Sequence, residues 1–325
     1  MRLLRGNQAL CEALTQEMTQ DERVFVMGED VAAHGGIYRV TEGLLTCFGP
    51  TRVMDTPISE SGFVGLAVGA AMLGMRPVVE IMSCGWITVA MDQIVNSAAK
   101  VRYVNNGGMH VPVVIRTVIS GSGNVYTGQE LEAWFFHVPG LKVVAPSNPY
   151  DAKGLLISSI RDPDPVIFFE HKSLYSMRGE VPEETYVLPF GQAKVRREGS
   201  DVTVVAYSGM VAVAEEAAHE LAGEGVEAEV IDPRTLVPFD KKTIVESVCK
   251  TGRLVVVHES VRRGGVGAEI AAAVIDSDAF GYLRAPILRV TNPGVPIPFS
   301  ATLRKIVSPG KDEVVAAVRR VMAYA

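Results

Sequence analysis

Short apolar runs alternate along the chain with stretches whose apolar residues recur every three to four positions. In the first part, the runs at 24–27, 53–55, 78–82, 113–117, 142–145 and 166–170 read as strands. Most are apolar without alternation, as expected of strands covered on both faces by helices. Residues 61–73, 87–103 and 150–161 read as the helices between them. Upstream, Asn7 is placed to cap a helix whose apolar face holds Leu10, Ala13, Leu14 and Met18. Residues 178–189 change character. They carry Glu180, Glu183, Glu184, Pro182 and Pro189 with little periodicity, and the domain boundary is expected there. Beyond it, strands at 201–207, 226–231, 253–258 and 287–291 alternate with helices at 210–222, 241–249, 267–275 and 311–322. The pattern implies the α/β class: two doubly wound, mostly parallel sheets, one in residues 1–185 and one in 186–325.

The length of 325 residues agrees with two domains at roughly 150 residues each. A formal net charge of -6 makes the chain a poor binder of nucleic acid, which favours a basic face. Cys11, Cys47, Cys84 and Cys249 form no CxxC pair and no metal-ligand spacing, so reduced, mostly buried thiols and a cytoplasmic location are expected. No apolar run reaches the ~18 residues of a membrane span. The basic residues 1–6 lead into an amphipathic helix pattern rather than a signal peptide.

Several motifs fail on inspection. Gly264, Gly265 and Gly267 lack the third glycine of a dinucleotide fingerprint and read as a tight turn with close helix packing. The pairs Arg196-Arg197, Lys241-Lys242 and Arg262-Arg263 read as solvated surface. His137, in Trp134-Phe135-Phe136-His137, reads as a structural histidine. His258 ends a buried strand beside Glu259, on the edge where doubly wound sheets bind ligands.

The informative segment is Asp55-Thr56-Pro57-Ile58-Ser59-Glu60-Ser61-Gly62. A strand ends at Asp55, Pro57 stiffens the loop, and Glu60 starts a helix lined with Gly65, Ala67, Gly69, Ala70 and Ala71. An acid at that position has a plain role: it complements the helix dipole, worth about 0.3–1 kcal/mol.

This segment, with Met27-Gly28-Glu29-Asp30-Val31, resembles the β subunit of the thiamine-diphosphate-dependent 2-oxo acid dehydrogenase E1 component. The likeness continues through Arg76-Pro77-Val78-Val79-Glu80, Asp92-Gln93-Ile94-Val95-Asn96, Glu132-Ala133-Trp134, and the run from His137 to Val144. It reaches Asp162-Pro163-Asp164-Pro165, Glu170-His171-Lys172, Asp232-Pro233-Arg234-Thr235-Leu236 and the run from Gly252 to Glu259. It covers nearly the whole chain.

The resemblance implies a pyrimidine-binding domain in residues 1–185 and a transketolase C-terminal-type domain in 186–325. It places Glu60 on N1′ of the cofactor aminopyrimidine, where a shared carboxyl proton favours the imino tautomer that deprotonates the thiazolium C2. Ile58, Met82 and Trp86 fall at the positions of the family's pyrimidine pocket. Val113, Ser159, Ile160, Asp162 and Asp164 fall at those of a structural potassium site with mostly backbone oxygens. The family's Mg2+–diphosphate clamp is a Gly-Asp-Gly motif, which this chain lacks. An E1 α subunit carrying that motif, in an α2β2 assembly, is therefore expected to hold Mg2+ and to share thiamine diphosphate.

One departure concerns the loop Tyr126-Thr127-Gly128-Gln129-Glu130. The family carries His-Ser-Gln there, its histidine facing the reactive carbon, and Thr127 stands in its place. A threonine hydroxyl only hydrogen-bonds, whereas histidine can carry a proton to a developing anion. Either another donor acts, such as His137, His258 or a partner residue, or the substrates differ. The expected reaction is decarboxylation of a 2-oxo acid with acyl transfer to a lipoyl group of an acyltransferase. Two alternatives stay open: an E1-like transferase of ketol or hydroxyethyl units from a ketose or other donor to a carrier protein, and a non-catalytic α/β regulatory subunit.

Overall fold

The computed structural model describes residues 2–120 and 125–324. Among them, seven strands form one sheet in the spatial order Thr235–Val237, Lys142–Val144, Val166–His171, Val114–Ile119, Arg76–Ile81, Val24–Gly28, Val53–Asp55. All neighbours are parallel except the first pair. A five-stranded sheet runs Leu288–Asn292, Leu254–Val261, Val202–Ala206, Ala228–Asp232, Lys194–Arg197, parallel except at its last strand. The fold class is the expected one. Strands such as Val24–Gly28 and Val166–His171 are buried along their whole length, which is why they show no alternation.

One core joins the two sheets. Phe135, Val143, Ile167 and Phe169 pack in the same apolar cluster as Val205, Ile231, Leu236 and Val256. The outer face of each sheet has its own cluster, under the helices Gly6–Gln20 and Pro149–Arg161 on one side and Met210–Ala222 and Lys311–Met322 on the other.

Several local expectations are corrected. Asn7 does not cap the first helix. Arg5 holds the cap position with extended backbone, its N–H donating to Gln8 Oε1 at 3.0 Å, while Asn7 reaches across to the Tyr38 carbonyl. Residues 178–189 are not all linker: Arg178–Val181 pairs antiparallel with Arg2–Arg5. The helix expected over 87–103 is broken into a 3-10 segment, Trp86–Ala90, a π segment, Gln93–Ala98, and an α-helix, Ala99–Val104. Such wide turns recur near functional sites. The cysteines are free, but only Cys84 is fully buried, and Cys47 is exposed on the short surface helix Leu44–Phe48.

The glycine turn before Val266–Ile275 packs as expected. A Cβ on Gly267 would lie 2.7 Å from His258 Nε2. Among the described residues no helix is long and apolar enough to cross a membrane.

Candidate active site

The order of the seven-stranded sheet reverses between Val24–Gly28 and Arg76–Ile81, with Val53–Asp55 on the outer side. Ligands of doubly wound sheets bind at such a switch point, beyond the carboxyl ends of the strands. Glu29 leaves the first of these strands, Met82 the second, and Glu60 follows the third after a short loop. Asp55 secures that corner: its two carboxylate oxygens accept from the Ala32 and Ala33 N–H groups at 2.7 and 3.1 Å.

Glu60 is the first residue of the helix Glu60–Met72, and Ser59 before it offers no side-chain cap. Glu60 is 7% exposed, and among the described residues no hydrogen bond or ion pair reaches its carboxyl. Glu29 lies beside it. Burial first, then the charges of Glu60 and Asp30, push the Glu29 carboxyl above its ordinary range, and Glu29 Oε1 is buried without a partner. Two acids thus meet at the switch point with no cation between them. A weakly basic ring nitrogen that shares a proton with Glu60 fits this vacancy of partners.

Apolar walls flank it. Ile58 is 87% exposed and Trp86 41%, while Met82 is half-buried. Neither Trp86 nor Ile58 is core; each offers a surface on which a planar ring can rest. The loop 125–131 closes over this wall. Ser83 Oγ donates to the Thr127 carbonyl at 3.1 Å, and a Cβ on Gly85 would lie 1.9 Å from the Tyr126 carbonyl oxygen. The backbone can come that close only because residue 85 is glycine.

The same loop forms one side of a cavity of about 560 Å³ between the two sheets, lined by Tyr126, Gln129, Glu130 and Trp134 opposite Glu259, Arg263 and Asn292. Of the expected loop residues, Tyr126 and Gln129 line it and are linked by a 3.2 Å hydrogen bond. His137 does not line it. It is exposed at the end of the helix Glu132–Phe136, not packed in a core. His258 is fully buried, with Nδ1 2.8 Å from Ser260 Oγ; burial lowers it to about 4.

The residues expected around potassium lie at one corner, at the end of Pro149–Arg161 and the start of Val114–Ile119. The Ile160 carbonyl accepts from Arg76 at 2.7 Å, and the Val113 carbonyl from Val166 N–H at 2.9 Å. The Ser159 carbonyl accepts from the Asp162 N–H at 3.3 Å. Lys142 reaches the Asp162 carboxylate at 2.5 Å, and Arg102 that of Asp164 at 2.5 Å. Burial would raise Asp164, but Arg102 and Lys142 outweigh it and hold it below its ordinary range.

Residues 4–178 match the family described as transketolase, pyrimidine binding domain, and residues 191–314 match transketolase, C-terminal domain. The pyruvate dehydrogenase E1 component subunit beta of Rickettsia felis is 49% identical over 319 residues, covering 98% of each chain. The 2-oxoisovalerate dehydrogenase subunit beta of Bacillus subtilis is 45% identical over 328 residues, covering 100% of each. The chain belongs to the E1 β-subunit family of thiamine-diphosphate-dependent 2-oxo acid dehydrogenases. The acetoin:2,6-dichlorophenolindophenol oxidoreductase subunit beta of Cupriavidus necator is 48% identical over 333 residues, covering 99% of this chain and 98% of that one. A split-gene transketolase, described as an inactive beta4 tetramer, superposes with a TM-score of 0.82 over 99% of both chains at 24% identity, a likeness of fold.

Glu29 and Glu130 are acids of this region that the sequence pattern does not mark as such. Glu29 stands in the Met27-Gly28-Glu29-Asp30-Val31 segment of the family likeness and directly after a buried strand, but neither fact by itself marks it as a site acid. Glu130 was visible only as an acid in the altered loop.

Proposed function

We propose that this E1 β subunit provides the pyrimidine half of a thiamine diphosphate site, with Glu60 as the group that holds the ring-nitrogen proton. The observation that carries the reading is the unpartnered carboxyl of Glu60, a largely buried residue at the switch point, beside the apolar surfaces of Ile58, Met82 and Trp86. When bound, the cofactor supplies a carbanion that attacks a carbonyl carbon. The chain's own part is narrower. Glu60 stores a proton, Glu29 discourages a second negative charge beside it, and Trp86 and Ile58 give the ring a dry seat.

The other half is absent from the sequence, which contains no Gly-Asp-Gly. An α-type subunit carrying that motif would hold Mg2+ and the diphosphate. A surface is available for it. On the helix Glu60–Met72 and just past its end, Leu66 is 57% and Leu73 88% exposed, and a Cβ on Gly69 would meet nothing within 4 Å. Such an uncovered apolar face is what a permanent partner covers. The substrate class is a 2-oxo acid and the acceptor a lipoyl group of an acyltransferase, in line with the dehydrogenase names of the relatives. A potassium ion at the corner of Val113, Ser159, Ile160, Asp162 and Asp164 would take backbone carbonyls, because the two carboxylates already face Lys142 and Arg102.

The test is to co-express the chain with an α-type partner and supply thiamine diphosphate and Mg2+. Carbon dioxide release from pyruvate or a branched 2-oxo acid is expected. No release from any 2-oxo acid, with the assembly intact, contradicts the reading.

A further inference from the structure

Acyl transfer to a disulfide needs an acid where the second sulfur leaves, and Thr127 is a poor one. His258 is sealed beneath Gly265 and Gly267, and His137 stands outside the cavity. The loop that bears Thr127 ends in a carboxyl instead. Glu130 lines the 560 Å³ cavity, and its Oε2 is sealed from solvent without a hydrogen bond.

Three carboxyls converge here. The Ser120 hydroxyl donates to Glu259 Oε1 at 3.2 Å. Glu259 Oε2 is 2.7 Å from His171 Nε2. Glu132 accepts from the Tyr207 hydroxyl at 3.1 Å. Burial favours the neutral form of Glu259, but His171 outweighs it and keeps that carboxylate below its ordinary range. Burial, then Glu132 and Glu259, push Glu130 well above its range, and Glu132 is raised to about 7. Arg263 and Arg304 approach from the second sheet's side, yet neither forms an ion pair with Glu130 among the described residues. Neither Glu130 nor Glu132 has an ion-pair partner among the described residues, and each keeps a sealed, unpartnered oxygen, but only Glu130 lines the cavity. Its charge is also felt by the buried Cys84 thiol, which lies between Met82 and Trp86.

We propose that Glu130 is a proton donor on the acceptor side of the site, delivering its carboxyl proton to the sulfur that leaves when a disulfide acceptor is acylated. The proposal rests on the lipoyl-acceptor reading above. In this step the acyl carbon forms a bond to one sulfur and the S–S bond breaks. Its electron pair stays on the other sulfur, which takes the Glu130 proton. The acyl unit is oxidised by two electrons and the disulfide is reduced by two. As the carbonyl forms, the bond that tied the acyl carbon to the thiamine cofactor breaks, its electron pair returning to the cofactor, and the proton lost from the acyl oxygen recharges Glu130.

The assembled enzyme is assayed with pyruvate or 2-oxoisovalerate, using a lipoyl domain and then 2,6-dichlorophenolindophenol as acceptor. The dye takes electrons without a leaving sulfur. In Glu130→Gln the ratio of lipoyl to dye turnover should fall about 10²-fold. Glu130→Asp should retain most of it, and adding Thr127→His to Glu130→Gln should restore it. Independently, infrared difference spectra of the cofactor-free assembly near neutral pH should show a protonated-carboxyl band that Glu130→Gln removes. An unchanged ratio, an equal loss with both acceptors, or the absence of that band overturns the proposal. A wild type inactive with both acceptors overturns the functional reading instead.

Discussion

At the scale of single residues, the account turns on charges placed where water is scarce. Glu60→Gln keeps size and hydrogen bonding but removes the acid. It should leave the fold intact and slow exchange of the C2 proton of bound thiamine diphosphate by about 10²-fold or more, read by hydrogen–deuterium exchange. Unchanged exchange would return Glu60 to a helix-dipole role. His258 makes a different prediction. Burial holds its folded pKa at about 4, below the unfolded ~6.5. The unfolded chain therefore binds more protons in between, so this histidine's contribution is whole above about 6.5 and is lost as pH falls towards 4. His258→Gln should flatten that part of the stability–pH curve, measured by urea unfolding at several pH values; an unchanged slope would show that other groups carry it. Glu60 was legible in the sequence because the family motif and the strand–loop–helix pattern coincide there. Glu130 was not, because nothing in its loop announces that Glu132 and Glu259 come to surround it.

Elements show where local pattern suffices and where it stops. Fully buried strands and amphipathic helices such as Lys311–Met322 are visible as hydrophobic runs and periodicities. The strand Thr235–Val237 is not. It has three residues, sits between two prolines, and joins the first sheet by pairing antiparallel with Lys142–Val144, far away in sequence. The pairing of Arg2–Arg5 with Arg178–Val181 is hidden for the same reason. Within residues 86–104, Gly65 on the neighbouring helix faces the Gln93 side chain of the π segment, where a Cβ would lie 3.2 Å from Gln93 Oε1. The loop 125–131 depends on Gly85 in the same way. Gly85→Ala puts a methyl into the Tyr126 carbonyl, so the loop must lift or the backbone shift, at roughly 1–3 kcal/mol. The expected signs are a lower melting temperature and faster proteolysis at the loop; a variant as stable and resistant as wild type would mean that the contact is slack.

Across the whole molecule, the two sheets share an apolar core, which keeps the loop 125–131 and Glu259 on opposite walls of one cavity. On the proposed reading the chain holds half of a site: an acid and an aromatic wall for a ring, an uncovered helix face, and no Gly-Asp-Gly for the cofactor's charged end. The most direct measurement is calorimetric titration of thiamine diphosphate with Mg2+ into the isolated chain and into its assembly with an α-type partner. The account predicts no tight binding by the chain alone and submicromolar binding by the assembly. Submicromolar binding by the isolated chain would contradict it.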